Sequence, residues 1–425
     1  MARILAYQSP TPGHVLPSTG MLLELQRRGH EVHVRTSAAE VERLAALGLR
    51  AAAVDPAIEA IELRDWAERT QVGAFKRVVE FYGARAELDL PDMRRAIDEV
   101  RPDALVVDVQ TEGAAIAAEA SGLPWAMYCP YPPAIPSADT PLHGMGWKPP
   151  RGRVGRGVTR ALRAAVRRGG RPHLAHRNGL RAKAGLPPIA AYEEQWLRPQ
   201  RFVVFTAEPY EFPRRDWPAN VRLVGPGTWE PPSEPPEWLA EERRPILLVN
   251  ASTAYQNDEK LIATALQAFA GEDVALVATT AATDHTQFDP PPNARVARFL
   301  PHGPIVARAA CVISHGGQGT TQRTLAAGVP ACVVPFCRDQ FDVARRVELA
   351  DAGAWLHHKR LSPERLRAAV RAAMGKRAGA ERVARAFAAA GGDAAAAGAV
   401  EELLPVAAYP RSHDVRRRGG QAGAA

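Results

Sequence analysis

Short apolar runs alternate with segments of helical spacing along the chain of 425 residues. "RILAY" has the apolar density of a buried strand. In the following "LPSTGMLLELQRRGH", Met21, Leu22 and Leu25 share a helical face, and Gly29 supplies a stop before the period-two run "EVHVRT". Strand, helix and strand seed a parallel sheet. The grammar recurs in "RPDALVVDV", "TEGAAIAAEASG" and "LPWAMYCP", weakens into Pro/Gly/Arg-rich sequence over 131–200, and resumes at "RFVVFTA". From Gly225 to Trp238, five prolines in the thirteen positions before the final Trp forbid a regular helix or central strand. Beyond it "PILLVN", "DVALVATT", "ACVISHGG" and "ACVVPF" alternate with helical segments. The pattern predicts two doubly wound α/β domains facing each other across a cleft: 1–224, a Pro-rich linker over 225–238, and 239–405. A polar, Gly-rich tail over 406–425 is expected to be disordered.

Composition narrows the class. With 46% hydrophobic and 24% charged residues the chain can bury a large core, as an ordinary enzyme does. No apolar run reaches the roughly 18 residues of a membrane span, and the sequence enters a strand pattern at once, which predicts a cytoplasmic protein. Cys129, Cys311, Cys332 and Cys337 lack paired C-x-x-C spacing and read as core thiols. The net charge of +8 draws on "WKPPRGRVGRGVTRALRAAVRRGGRPHLAHR" and "RSHDVRRRGG". Neither run interleaves aromatics or carries a nucleic-acid motif, so solvated surface is the expectation over an anionic-membrane or nucleic-acid patch, and nucleic acid is not an expected partner.

Two side chains in the first half sit where such a sheet opens. His14 follows the first strand and Asp108 ends "ALVVDV", so both lie at carboxyl strand ends. An Asp that accepts from one imidazole nitrogen fixes the tautomer and leaves the other nitrogen as a general base. Taken alone, His14 also fits a loop histidine held by backbone, and Asp108 a helix N-cap. "TPGHVLPSTG" lacks the G-x-G-x-x-G and P-loop signatures.

In the second half, "VISHGGQGTTQRTLAAGVP" runs strand, Gly-rich turn, helix, stop and strand. Gly316, Gly317 and Gly319 let the backbone approach a ligand, the helix start near Thr320 and Thr321 presents N–H groups, and His315 adds a donor, which together suit a diphosphate. Gln322 stands where the dinucleotide fingerprint needs its third glycine. The alternative is a turn made Gly-rich only for tight packing. Asp339 and Gln340, in "PFCRDQFDVARR", can hold vicinal hydroxyls by paired hydrogen bonds, or serve as a helix cap.

The segments "GHVLPSTGMLLELQRRGHEVHVRT", "RPDALVVDVQTEGAAIAAEASGLP", "SHGGQGTTQRTLAAGVPACVVPF" and "RDQFDVARRV" together resemble the family 1 glycosyltransferases, enzymes of GT-B fold that move a sugar from a nucleoside diphosphate to small lipophilic acceptors. The resemblance implies His14 as general base and Asp108 as the acid that orients it. It implies a diphosphate segment at His315, Gly316, Gly317, Gly319 and Thr320, and sugar-hydroxyl contacts at Asp339 and Gln340. Ser252, in "VNASTAYQ", falls where relatives carry a Gly-Ser or Gly-Thr turn near the phosphates, here without the glycine. Phe299 stands where many relatives have Trp.

The resemblance also implies an inverting transfer with no metal and no cofactor beyond the donor itself, UDP-glucose or a dTDP-sugar, to a hydroxyl of a polyketide, macrolide or polyphenol. No D-x-D triplet occurs. The competing readings are a non-catalytic partner protein of the same architecture, a sugar-nucleotide epimerase, and a nicotinamide oxidoreductase. The sequence carries no signal for oligomeric state.

Overall fold

The computed structural model describes residues 1–68, 71–252 and 258–405; the expected tail over 406–425 lies outside them. Seven strands form the first sheet: β1 (Arg3–Tyr7), β2 (Glu31–Thr36), β3 (Arg50–Ala53), β4 (Ala104–Asp108), β5 (Trp125–Cys129), β6 (Arg201–Val204) and β7 (Val221–Leu223). Six form the second: β8 (Ile246–Asn250), β9 (Ala275–Thr279), β10 (Ala294–Ala297), β11 (Ala309–Ser314), β12 (Ala331–Val333) and β13 (Gly353–Trp355). The orders are β3-β2-β1-β4-β5-β6-β7 and β10-β9-β8-β11-β12-β13, with every pairing parallel. Each order reverses direction at one point, between β1 and β4 and between β8 and β11.

Parallel strands are buried on both faces, so alternate residues feed different layers. In β1, Leu5 and Tyr7 join Leu105, Val107 and the residues of helices Gln71–Val100 and Glu112–Ser121, while Ile4 and Ala6 join Met21, Leu22 and Leu25 of helix Pro12–Arg27. The second sheet repeats the arrangement, with Leu247, Val249 and Ile313 packed on helices Glu259–Phe269 and Pro363–Met374. Cys129, Cys311 and Cys332 are buried free thiols and Cys337 is half-buried, and burial pushes the Cys332 and Cys337 thiols up to about 12. No helix among the described residues is long and apolar enough to cross a membrane.

Three features depart from the sequence expectations. The first helix begins at Pro12, not at Leu16: proline at the first turn loses no hydrogen bond, so "PGH" is the opening turn of the helix. The poorly patterned stretch over 131–200 holds two helices, Gly152–Gly169 and Arg171–Lys183, the first rich in arginine and glycine and with no buried residue. The third departure corrects the boundary of the 239–405 unit. Helix Gly392–Glu401 packs on the first sheet through Ala396, Ala397, Ala399 and Val400, and Glu401 accepts from Arg28 Nη1 (2.6 Å) and His30 Nε2 (3.0 Å). An alanine-rich helix carries nothing in its pattern to say which sheet will cover it.

Close helix packing on the first sheet depends on Gly113, where a Cβ would overlap the carbonyl oxygen of Ala86 and lie 2.7 Å from the Leu90 nitrogen. Gly113→Ala is expected to destabilise the protein by about 1–3 kcal/mol, because backbone cannot step aside as a side chain can. Urea denaturation measures this, and an unchanged midpoint would contradict it.

Candidate active site

The carboxyl ends of β1 and β4 are neighbours, with Tyr7 in register with Val107, at the point where the sheet order reverses. Such points open the crevice used by ligands in doubly wound sheets. Helix Pro12–Arg27 starts there and projects His14 from its first turn; Asp108 is the last residue of β4. His14 Nδ1 lies 2.8 Å from Asp108 Oδ2 and 3.0 Å from Oδ1. Asp108 is fully buried and His14 is 8% exposed. Oδ1 also accepts from the Gln110 backbone N–H (2.8 Å), and the N-cap position belongs to Thr111, so Asp108 is committed to the imidazole rather than to capping. An ionised carboxylate only accepts, so Nδ1 carries the proton and Nε2 holds the free lone pair. The Tyr131 ring flanks the imidazole at 5.5 Å.

The second sheet repeats this construction, with Asn250 ending β8 in register with Ser314 ending β11. Asn250 Nδ2 donates to Thr320 Oγ1 (3.1 Å), tying the β8 end to the first turn of helix Gln318–Ala326. The Ser252 N–H donates to Asp258 Oδ2 (2.7 Å). The same oxygen lies 3.8 Å from His315 Nδ1, too far for a hydrogen bond. His315 is buried, and burial lowers its basicity against the opposing pull of Asp258. Sequence alone does not single out Asp258; its only signal there is its place just before a helical run.

The glycines divide by cause. Gly316 has φ +94°, and a Cβ there would meet Val333 Cγ1 at 2.8 Å. A Cβ on Gly317 would meet His315 Nε2 at 2.7 Å. Gly319 has no atom within 4 Å of where its Cβ would stand, so nothing in the chain itself requires glycine at this first-turn position. Packing alone therefore explains two of the three, and leaves open space beside the unpaired N–H groups that begin the helix.

Asp339 and Gln340 follow β12 where helix Gln340–Leu349 starts. Gln340 Oε1 accepts from the Phe336 (2.8 Å) and Cys337 (3.1 Å) N–H groups, so its amide carbonyl holds its own loop. Asp339 occupies the N-cap position without a capping hydrogen bond, is half-buried, and its carboxyl is raised by burial against the lowering effect of His143. Arg338 has φ +54° and donates to Asp65 through Nε (2.8 Å) and Nη2 (2.5 Å), bridging from the β12 loop to the first half.

Further bonds draw the two sheets together around the cleft. Tyr210 Oη donates to Gln318 Oε1 (2.7 Å), and Gln322 Nε2 donates to the Phe205 carbonyl (2.6 Å). Gln322, legible in the sequence only as a missing glycine, is an inter-sheet tie. Phe299 is 67% exposed beside Arg298, and His302 pairs with Thr279 Oγ1 (3.0 Å), its pKa lowered by burial to about 4. No three His, Cys, Asp or Glu side chains converge on a metal position among the described residues.

Solved structures share this architecture. The glycotransferase of kitacinnamycin superposes with a TM-score of 0.73 at 22% identity, over 95% of this chain and 99% of that one. The calicheamicin glycosyltransferase gives 0.73 at 22% over 95% and 98%. Glycosyltransferase VinC, solved with dTDP, gives 0.69 at 21% over 94% and 99%. The fold is GT-B, two doubly wound parallel sheets meeting at a cleft. A family model, the C-terminal domain of erythromycin biosynthesis protein CIII-like proteins, matches residues 261–403. The 4'-demethylrebeccamycin synthase of Lentzea aerocolonigenes is 31% identical over 394 residues, 88% of this chain and 92% of that protein. A PGL/p-HBAD biosynthesis rhamnosyltransferase of Mycobacterium bovis is 30% identical over 285 residues, 65% of this chain and 61% of that protein. The chain belongs to the natural-product glycosyltransferases of GT-B fold.

Proposed function

We propose that the protein transfers a sugar from a nucleoside diphosphate, UDP-glucose or a dTDP-sugar, to a hydroxyl of a small lipophilic natural product with inversion at the anomeric carbon. His14 Nε2 takes the acceptor proton as the acceptor oxygen bonds to that carbon. The bond from the carbon to the diphosphate oxygen breaks, and its electron pair leaves with the diphosphate. Asp108 holds the imidazole and stabilises the imidazolium that forms. The N–H groups of the first turn of helix Gln318–Ala326, together with His315 and the Thr320 hydroxyl, face the charge that develops on the leaving group. Ser252 flanks the phosphates. Asp339, with Gln340 beside it, receives sugar hydroxyls. A sugar with free hydroxyls, such as glucose, suits that pair.

The observation that carries this reading is the open space at Gly319 beside unpaired N–H groups, in a molecule whose other switch point holds a buried His–Asp pair. A thermal-shift panel with UDP, dTDP, GDP, UDP-glucose and NAD tests it. A nucleotide at a hundred times its dissociation constant stabilises the fold by about 2.7 kcal/mol, so UDP or dTDP is expected to raise the melting temperature and NAD to leave it unchanged. Gly319→Leu is expected to keep or raise the ligand-free melting temperature, since leucine favours a helix over glycine by roughly 0.5–1 kcal/mol. The same substitution should weaken nucleotide binding at least about tenfold. Silence from every nucleoside diphosphate would sink the proposal.

A further inference from the structure

Six of the eleven large hydrophobic side chains exposed among the described residues lie between Met145 and Val166: Met145, Trp147, Val154, Val158, Leu162 and Val166. The last four recur every fourth residue along one face of helix Gly152–Gly169, and Val154 is 81% exposed and Val158 55%. Ala161 and Ala165 lie on the same face and are exposed as well. The other side of the helix carries Arg153, Arg156, Arg160, Arg163 and Arg167, with Arg168 at its edge, and the chain has no Asp or Glu between Asp139 and Glu193.

The attachment of this helix reverses the usual amphipathic arrangement. Arg163 donates to the carbonyls of Ser137, Thr140 (2.7 Å) and Pro141 (3.2 Å), and Arg167 Nε donates to Glu193 (2.8 Å). Two arginines thus hold the helix to the protein while its valine and leucine face is left to water, where a surface helix of a globular protein would bury it. The guanidinium groups of Arg153, Arg156, Arg160 and Arg168 have no hydrogen-bond or ion-pair partner among the described residues.

An occupant of this face must be apolar where it meets the valines and negative where it meets the arginines. A second copy of the chain would bring the same uncompensated arginines and be repelled. An anionic lipid surface supplies both layers in the right order, acyl chains beneath phosphates, and a tryptophan beside such a helix suits the boundary between them. We propose that helix Gly152–Gly169, with Trp147, docks the protein on an anionic lipid surface. The apolar side chains lie in the headgroup boundary and the free arginines meet lipid phosphates. The segment leading into the helix also reaches the second sheet: the Gly144 and Gly146 N–H groups donate to Asp342 (2.7 and 2.8 Å). The docking face therefore adjoins a wall of the cleft. Its use in supplying a lipophilic acceptor rests on the function proposed above; the docking itself does not, and is read without catalysis.

Co-sedimentation of the full chain with phosphatidylcholine vesicles, and with vesicles in which phosphatidylglycerol replaces one third of the lipid, tests the inference. The protein is expected to pellet with the anionic vesicles only and to be released by salt. Val154→Asp combined with Val158→Asp should abolish pelleting with an unchanged melting temperature, because both positions are exposed. Arg156→Glu with Arg160→Glu should weaken binding by about tenfold or more. No preference for anionic vesicles at low salt would overturn the proposal. So would a double aspartate variant that pellets like its parent, since binding would then reflect only the net charge of +8. A concentration-dependent dimer in sedimentation velocity, dissolved by the same variant, would also overturn it and assign the face to pairing of copies.

Discussion

His14→Ala is expected to lower sugar transfer to an alcohol acceptor by about a hundred- to ten-thousand-fold, the range over which a positioned general base contributes. The imidazole lies at the β1/β4 end, whereas the proposed diphosphate contacts lie at the β8/β11 end. Nucleotide-induced stabilisation should therefore survive the substitution. That split separates loss of the base from loss of the fold. Assays of the parent with and without acceptor, following both nucleoside diphosphate release and change in the donor sugar, address the rival chemistry. An epimerase would alter the donor with no acceptor present, and a transferase would not. Near-normal transfer by His14→Ala would mean that another group takes the proton. Asp108→Asn provides a companion reading: it preserves the contact with Nδ1 but removes the charge opposite the imidazolium, so its rate should fall while the nucleotide shift persists.

The second large effect is on stability. Glu211 and Arg346 are both almost fully buried, and they join the segment after β6 to helix Gln340–Leu349. Arg346 donates to Glu211 Oε1 through Nε (3.0 Å) and Nη2 (2.6 Å), with its guanidinium 4.0 Å over the Phe212 ring. Glu211 Oε2 is buried without a hydrogen-bond partner. Arg346→Met removes the cation bonded to this carboxylate and leaves the charge in a dry site, which costs about 3–5 kcal/mol. The double variant Glu211→Leu/Arg346→Met should recover most of that loss, because an apolar pair of similar volume carries no desolvation cost. Chemical denaturation of the four members of the cycle gives the coupling directly. If Arg346→Met cost less than about 1 kcal/mol, the ion pair would not be what fastens the two halves here.

Much of the architecture was legible because parallel strands buried on both faces read as dense apolar runs, and "RILAY", "ALVVD" and "PILLVN" all form strands where expected. The candidate residues lie at or near carboxyl strand ends: Asp108 closes β4, His315 follows β11, and His14 sits in the helix turn after β1. What could not be read was contact between distant segments. Gln322 looks like a defective glycine until the Phe205 carbonyl arrives beside it from more than a hundred residues away. Asp258 matters through the Ser252 backbone and its nearness to His315, neither of which spacing reveals. Gln340 reads in the sequence as a partner for sugar hydroxyls or part of a helix cap, and spacing does not reveal that its carbonyl oxygen accepts from two N–H groups of its own loop. Helix Gly152–Gly169 carries a helical period in Val154, Val158, Leu162 and Val166, but that period is diluted by the glycines and arginines around it, which read as irregular sequence.

The return of the last helix to the first sheet has a mechanical meaning. The polypeptide crosses between the sheets twice, once outward after Val224 and once back at Gly391 and Gly392, and the crossings touch: the Gly392 N–H donates to the Val224 carbonyl (2.6 Å). A Cβ on Gly225 would stand 2.8 Å from the Phe387 carbonyl oxygen, so the outgoing strand lies directly against the returning one. Gly225, Gly391 and Gly392 all have positive φ. Two covalent tethers pinned side by side fix the two halves to each other at one edge, and the bonds from Gln322, Tyr210 and Arg346 hold them at others, so the two strand-end clusters keep one register across the cleft.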